Sequence, residues 1–242
     1  VISGKGDCIQ FNLGSKVTRA LREQAQRSGR TLYVTLLSAY TLVLHQISQQ
    51  KDFVVGTPVR GREQPGLEPL MGFFVNMLPM RMQIDPAQRM NAWMDQVHRM
   101  VVESFSYPEV PFEHLVRELK VPRDSSYSPI YQVSFSYQDA RDRQTHWGNV
   151  EHDRMATPIL GSAQDIGLWC VETGDEIEFV FTYNTDVLDA STVARLGTRI
   201  ESVLHQLEAE PDAPLHHYSV LPANERDQIA AWNQTSQSYN QH

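Results

Sequence analysis

Met71-Gly72-Phe73-Phe74-Val75-Asn76-Met77-Leu78-Pro79-Met80-Arg81 joins a glycine, an apolar run, one asparagine and a terminal arginine. The run predicts a strand over Phe73 to Met82, weakened towards its end by Pro79, which cannot donate to a ladder. Gly72, lacking a Cβ, allows backbones to approach closely. Phe73, Phe74, Val75 and Leu78 are candidate core residues. Asn76 is different, because an amide inside an apolar run must find partners or cost about 1–3 kcal/mol. Arg81 carries a fork that matches a carboxylate or a pair of carbonyls.

Working outward, Asp52 to Val59 reads as a strand around Phe53, Val54 and Val55, followed by a polar Gly/Pro loop from Arg60 to Glu68. Upstream, Ile9 to Leu13 alternates as a short strand. Ser15 is a candidate cap for a helix carrying Val17, Leu21 and Ala25, which Gly29 ends. Thr31 caps the next helix, which runs to about Gln46 and is apolar nearly all round, the mark of a buried helix. Downstream, Met90, Trp93, Val97, Val101 and Phe105 mark a long helix. Pro111 opens a short one to Leu119, with Glu113 in its first turn and Phe112 in the core. Ile130 to Tyr137 alternates as a strand, and Arg141 to Asn149 reads as a loop. Asp165 to Val171 and Glu176 to Tyr183 form two strands joined by Glu172-Thr173-Gly174-Asp175. Ala190 to Leu207 carries one apolar stripe through Val193, Leu196, Ile200, Val203, Leu204 and Leu207. From Glu208 the texture turns to proline and then Gln/Asn/Ser, so residues 1–208 read as one lobe and 209–242 as an extended tail and linker. Helices mixed with hairpins predict an α/β sandwich, with helices on one face of a mixed sheet.

The 242 residues are 41% hydrophobic and 21% charged, an ordinary globular composition with room for a real core. A net charge of −8 without a Lys/Arg cluster argues against a nucleic-acid partner. Apolar stretches are too short for a bilayer span. The two cysteines, Cys8 and Cys170, match no metal spacing and read as free thiols of a cytoplasmic protein. Starting at Val1 with no signal core, the chain reads as a piece of a larger polypeptide.

His216-His217 is followed by Tyr218-Ser219-Val220 and then Leu221-Pro222, with no acid or glycine among them, and reads as solvated surface. No two histidines share the i, i+4 spacing of a helical metal site, and no phosphate loop or G-x-S-x-G elbow occurs. The chain offers no complete catalytic constellation, so no catalytic or metal-binding residue is assigned.

Four segments in order are Val55-Gly56-Thr57-Pro58-Val59-Arg60-Gly61-Arg62-Glu63, Met71 to Arg81, Val110-Pro111-Phe112-Glu113-His114-Leu115-Val116, and Arg123-Asp124-Ser125-Ser126-Tyr127-Ser128-Pro129-Ile130-Tyr131-Gln132. Together they resemble the condensation domains of nonribosomal peptide synthetases, and within them the C-terminal half. Tyr107-Pro108-Glu109 departs from the usual His-Gln-Asp, and Tyr127 stands where arginine is common. The family's His-His-x-x-x-Asp-Gly motif belongs to the other half. Leu221 to Arg226 and Trp232 to Thr235 resemble the join to an adenylation domain.

The resemblance implies one lobe of a chloramphenicol acetyltransferase-like fold, in a domain that joins carrier-tethered acyl and aminoacyl thioesters as amides. Alternatives are a non-catalytic carrier-docking module and an epimerization-type relative. It further implies that Gly72, Asn76, Arg81, Glu113, Arg123, Asp124 and Ser126 hold the lobe seam or the tunnel, and that Trp232 anchors the linker. Implied partners are the N-terminal lobe, upstream and downstream peptidyl carrier proteins and an adenylation domain. No cofactor is bound directly, because phosphopantetheine arrives on the carriers.

Overall fold

The computed structural model describes residues 3–62, 64–122, 124, 126–141, 146–152, 161–162 and 164–236. In chain order the elements are β1 (Gly6–Leu13), α1 (Ser15–Arg27), α2 (Leu32–Ser48), β2 (Asp52–Val59), β3 (Asn76–Gln83), α3 (Met90–Ser104), α4 (Phe112–Glu118), β4 (Val133–Asp139), β5 (His146–Trp147), β6 (Val150–Glu151), β7 (Ile166–Thr173), β8 (Glu176–Asn184), α5 (Ala190–Ala209) and α6 (Ala223–Trp232). Six strands form a mixed sheet ordered β1-β8-β7-β4-β2-β3. β2–β3, β7–β8 and β1–β8 are antiparallel, while β4 runs parallel to β2 and β7. The expected α/β sandwich is therefore what forms.

Alternation along each strand sorts the residues between two faces. Phe11, Phe179, Phe181, Leu168, Phe135, Val55 and Met80 join one apolar cluster with α1, α2, α3 and α5. α2 lies deepest, with residues such as Leu37, Tyr40, Leu42 and Val43 fully enclosed. Its start is fixed by Thr31, whose side chain accepts from the Val34 N–H, and its end by Gln49 in the left-handed region. Trp93 of α3 is buried and donates its indole N–H to the Ser38 carbonyl at 3.2 Å. Asp189 caps α5, whose Ile200, Val203, Leu204 and Leu207 stripe faces the core.

β2 and β4 pair only at Val55–Val133 and Gly56–Ser134, although both strands continue. Beyond that point their carboxyl ends part. Thr57 donates its hydroxyl to the Phe135 carbonyl at 2.9 Å, so it accepts from Tyr33 Oη at 3.0 Å. A side chain thus supplies the bond that the ladder no longer makes.

Several expectations need correction. β3 begins at Asn76, not Phe73, and Phe73 is 89% exposed because the preceding segment is a loop. Ser15 caps nothing; Gly14 holds the cap position of α1 without a side-chain bond. β4 begins at Val133, because Ile130 takes φ 70°, an unusual value for a β-branched residue. The segment 141–149 contains half of a two-strand ladder, β5–β6. Cys8 is half-buried, while Cys170 is fully buried with its thiol pushed well up by burial. Within the stretch expected as an extended tail, 209–242, the described residues 209–236 are not extended. Leu215 and Tyr218 are buried, Gln46 donates to their carbonyls, and α6 follows. Leucine and tyrosine among the prolines bring the chain back to the core, which a reading of proline texture alone overlooks. His216 and His217 are exposed, as expected.

Candidate functional site

The parted ends of β2 and β4 open a groove of about 690 Å³ lined by Pro58, Val59, Arg60, Val75, Trp169 and the β4 residues 136–139. Beside it the chain from Gly61 to Val75 forms an arm that exposes Leu70, Met71, Phe73 and Val75. Arg62 organises the arm. Its guanidinium donates to the carbonyls of Leu67 at 2.7 Å, Leu70 at 2.6 Å and Gly72 at 3.1 Å, and lies 4.3 Å from the centre of the Phe74 ring. A planar fork with several donors suits such convergence better than an ammonium does. Gly61 precedes it at φ +66°, where an added Cβ would meet the Phe74 carbonyl oxygen at 2.1 Å. Sequence reading missed Arg62; the signal was an arginine directly after a glycine and before an apolar arm.

Asn76, at the root of this arm, finds the partners its burial demands. Its amide donates to Pro108 O at 3.0 Å and Val110 O at 2.7 Å and accepts from the Phe112 N–H at 3.2 Å. It thereby ties the edge strand to the start of α4. Phe112 is only half-buried and packs edge-to-face on Tyr131 at 5.3 Å. The Tyr131 ring in turn lies over Gly56, where a Cβ would meet it at 2.5 Å. Burial raises the Tyr131 phenol above its usual range, and the Glu113 carboxylate, exposed in the first turn of α4, adds to that. Gly72 takes φ +154° with the Phe74 ring, not another backbone, as its nearest neighbour.

Asp124 accepts from the Ser126 N–H at 2.8 Å and hydroxyl at 2.5 Å, a closed local turn that lowers the carboxyl below its usual range. Arg123 lies outside the described residues. Arg81 stands apart from this group. It sits five residues along β3 from Asn76, roughly 16 Å at strand rise, and forks onto Asp52 at 2.8 and 2.6 Å. Its side chain is 66% exposed, so the pair is a surface cross-strand contact. Arg81→Ala is therefore expected to leave the melting temperature of this chain unchanged within error, as thermal denaturation followed by circular dichroism will test. Trp232, at the end of α6, is 68% exposed.

At the carboxyl ends of β4 and β7 lies a charged cluster around Glu172, a residue that sequence reading placed in the hairpin connection. Glu172 is 1% exposed, yet it accepts from Arg22 and from the Tyr137 hydroxyl, with Arg141 at 3.6 Å. Burial and the neighbouring carboxylate push the Tyr137 phenol up. Arg141 forks onto Asp139 and holds that carboxyl down at about 2. Tyr33, half-buried nearby, has its phenol pushed up to about 12 by desolvation. Among the described residues no group of three or more His, Cys, Asp or Glu could hold a metal, and no helix is long and apolar enough to cross a membrane.

The family described as Condensation domain matches residues 2–230. The chain is 34% identical over 230 residues to phosphinothricin tripeptide synthetase PhsC of Streptomyces viridochromogenes, covering 95% of this chain and 21% of that protein. It is 30% identical over 229 residues to gramicidin S synthase 2 of Brevibacillus brevis, covering 94% and 5%. Among solved structures, holo-AB3403, a four-domain nonribosomal peptide synthetase bound to AMP and glycine, matches with TM-score 0.80 at 24% identity, over 93% of this chain and 18% of that one. The X-domain from teicoplanin biosynthesis matches with TM-score 0.81 at 22% identity, over 90% and 50%. The chain thus spans half of that single-domain structure and about a fifth or less of the large synthetases. Its sheet order, its four ordered segments and the match over residues 2–230 agree: the chain belongs to the condensation-domain family.

Proposed function

We propose that this chain is the C-terminal half of a condensation domain that forms amide bonds between carrier-tethered groups. The observation that carries this reading is the pairing of a family match over residues 2–230 with half-coverage of a solved single-domain relative. In the reaction the lone pair of an acceptor amine attacks a donor thioester carbonyl. The C–S bond breaks, the amine loses one proton, and the carrier thiol leaves protonated. Both reactants arrive on phosphopantetheine arms of carrier proteins, so much of the rate gain lies in holding two tethered groups together. The histidine motif that handles the amine comes from the other half. The arm from Gly61 to Val75, with Met71 and Phe73 exposed, gives this half an apolar surface to bury there. Gly72 and Asn76 shape that surface, Glu113 stands in the first turn of α4, which Asn76 ties to the edge strand, and Arg123, Asp124 and Ser126 are assigned to the seam or tunnel by resemblance alone. Arg81 serves the seam only where a partner reaches the far end of β3. Trp232, exposed on α6, suits contact with a following adenylation domain, and free Cys8 and Cys170 suit a cytoplasmic setting.

The expected result is that this chain alone, mixed with loaded donor and acceptor carriers, gives no amide above the uncatalysed rate by mass spectrometry, whereas the complete two-lobe domain does. Turnover by the isolated chain overturns the division of labour. A docking role is the second reading, favoured by an X-domain of the same fold that was solved in a complex with OxyB. It predicts carrier binding without turnover even in the complete domain.

A further inference from the structure

The sheet face away from the main helix layer carries small, polar and aliphatic residues around a single large ring. Register aligns Gly56, Ser134, Gly167, Thr182 and Cys8 in one row across it, and Ser136, Trp169, Val180 and Gln10 in the next. Trp169 is the one aromatic among the strand residues of this face. Its neighbour Gly167 leaves room for it. A Cβ there would meet Ser134 Oγ at 2.8 Å and Thr182 Oγ1 at 3.0 Å, and would stand 3.8 Å from the indole nitrogen. The indole lines the groove that opens where β2 and β4 part, facing Pro58, Arg60, Val75 and Ser136. It is only half-buried, and among the described residues its N–H finds no hydrogen-bond acceptor. A large flat side chain with an unused donor, set among serines and glycines, is a wall that limits what enters and a handle for a carbonyl.

We propose that Trp169 sets the upper size of the acyl or aminoacyl side chain that the groove accepts, with its N–H donating to a carbonyl of the bound thioester. This rests on the reading of the chain as half of a condensation domain, which makes the ligand a carrier-bound thioester. Trp169→Ala deepens the groove and admits larger groups. Trp169→Phe removes the donor and keeps most of the bulk.

Two measurements separate this inference from the functional reading. The first titrates this chain with N-acetylcysteamine thioesters of acetyl, leucyl and phenylalanyl groups, following the indole N–H resonance assigned through Trp169→Phe. Expected are a shift of that resonance with the small thioester, and relative affinity for the phenylalanyl thioester raised roughly tenfold in Trp169→Ala. The second gives the complete two-lobe domain competing loaded carriers of the same series. There Trp169→Ala is expected to raise the large-to-small product ratio roughly tenfold, with Trp169→Phe close to the parent. An unmoved resonance with unchanged affinity ranking overturns the proposal whatever the turnover. Amide formation with an unchanged product ratio in a folded Trp169→Ala domain overturns it and spares the functional reading. Altered thioester ranking in this chain, beside a two-lobe domain that makes no amide, supports the size limit and removes the amide-forming role.

Discussion

Glu172→Ala is expected to lower the melting temperature of this chain by roughly 6–12 °C. The carboxylate is 1% exposed and receives Arg22 from α1 and the Tyr137 hydroxyl and Arg141 from β4 and its continuation. Truncation leaves the guanidinium of Arg22, itself 20% exposed, in a site shaped for an anion. Breaking a buried pair by removing one partner costs about 3–5 kcal/mol. The lower end applies, because Asp175 stands 3.8 Å from Arg22 and takes part of its charge. At about 2–4 °C per kcal/mol for a domain of this size, 3 kcal/mol gives the stated drop. Glu172→Gln keeps an acceptor for Tyr137 and Arg22 and loses only the charge, so it is expected to fall between the parent and Ala. Calorimetry or thermal circular dichroism on the three proteins checks the order. A drop below about 2 °C for Glu172→Ala means that the cluster is solvated in solution and does not lock the carboxyl ends of β4 and β7.

Glu172 also shows where reading the sequence reaches its limit. As text it is an acid at the end of an apolar run and two residues before a glycine, which is how a turn looks. Its burial comes from Arg22 on α1, 150 residues away, and no local pattern encodes that meeting. The helices were legible because their apolar stripes are local: Val17, Leu21 and Ala25 on α1, and Ile200 to Leu207 on α5, are buried as the spacing demands. Sheet order was not legible, since β4 lies between β2 and β7 through pairings that cross 78 and 33 residues. The groove inherits that blindness, because it exists only where β2 and β4 part. Trp169 was read as one more strand residue. Only the register, which places it beside Ser136 and above Gly167, turns it into a wall. Asn76 was legible as a residue in need of partners, but not which ones. Phe73 was misread because apolar character alone does not separate a core residue from one waiting for a partner surface.

Asn76→Ala is expected to free α4 and its approach from the edge strand. The amide makes three bonds across 32 to 36 residues, two to carbonyls and one from an N–H. Each group left unpaired costs about 1–3 kcal/mol when buried. These are part-buried and water reaches them, so a total of about 2–3 kcal/mol is expected. That corresponds to exchange of the α4 amides faster by roughly 30- to 150-fold, at tenfold per 1.4 kcal/mol, while β7 and β8 keep their protection. Asn76→Asp separates geometry from charge. Its carboxylate still accepts from Phe112 N–H, yet it turns an oxygen towards the carbonyls of Pro108 and Val110 where an NH₂ stood. It is therefore expected to loosen α4 at least as much as Ala at neutral pH, and less at acid pH once protonated. Hydrogen exchange read by mass spectrometry over 105–119 decides the matter. Unchanged α4 protection in both variants would show that Phe112 on Tyr131, not Asn76, holds this segment. Because Val75 lines the groove immediately before Asn76, a loosened β3 start also moves one groove wall. In the complete domain the same substitution is then expected to slow condensation more than its modest cost in melting temperature suggests.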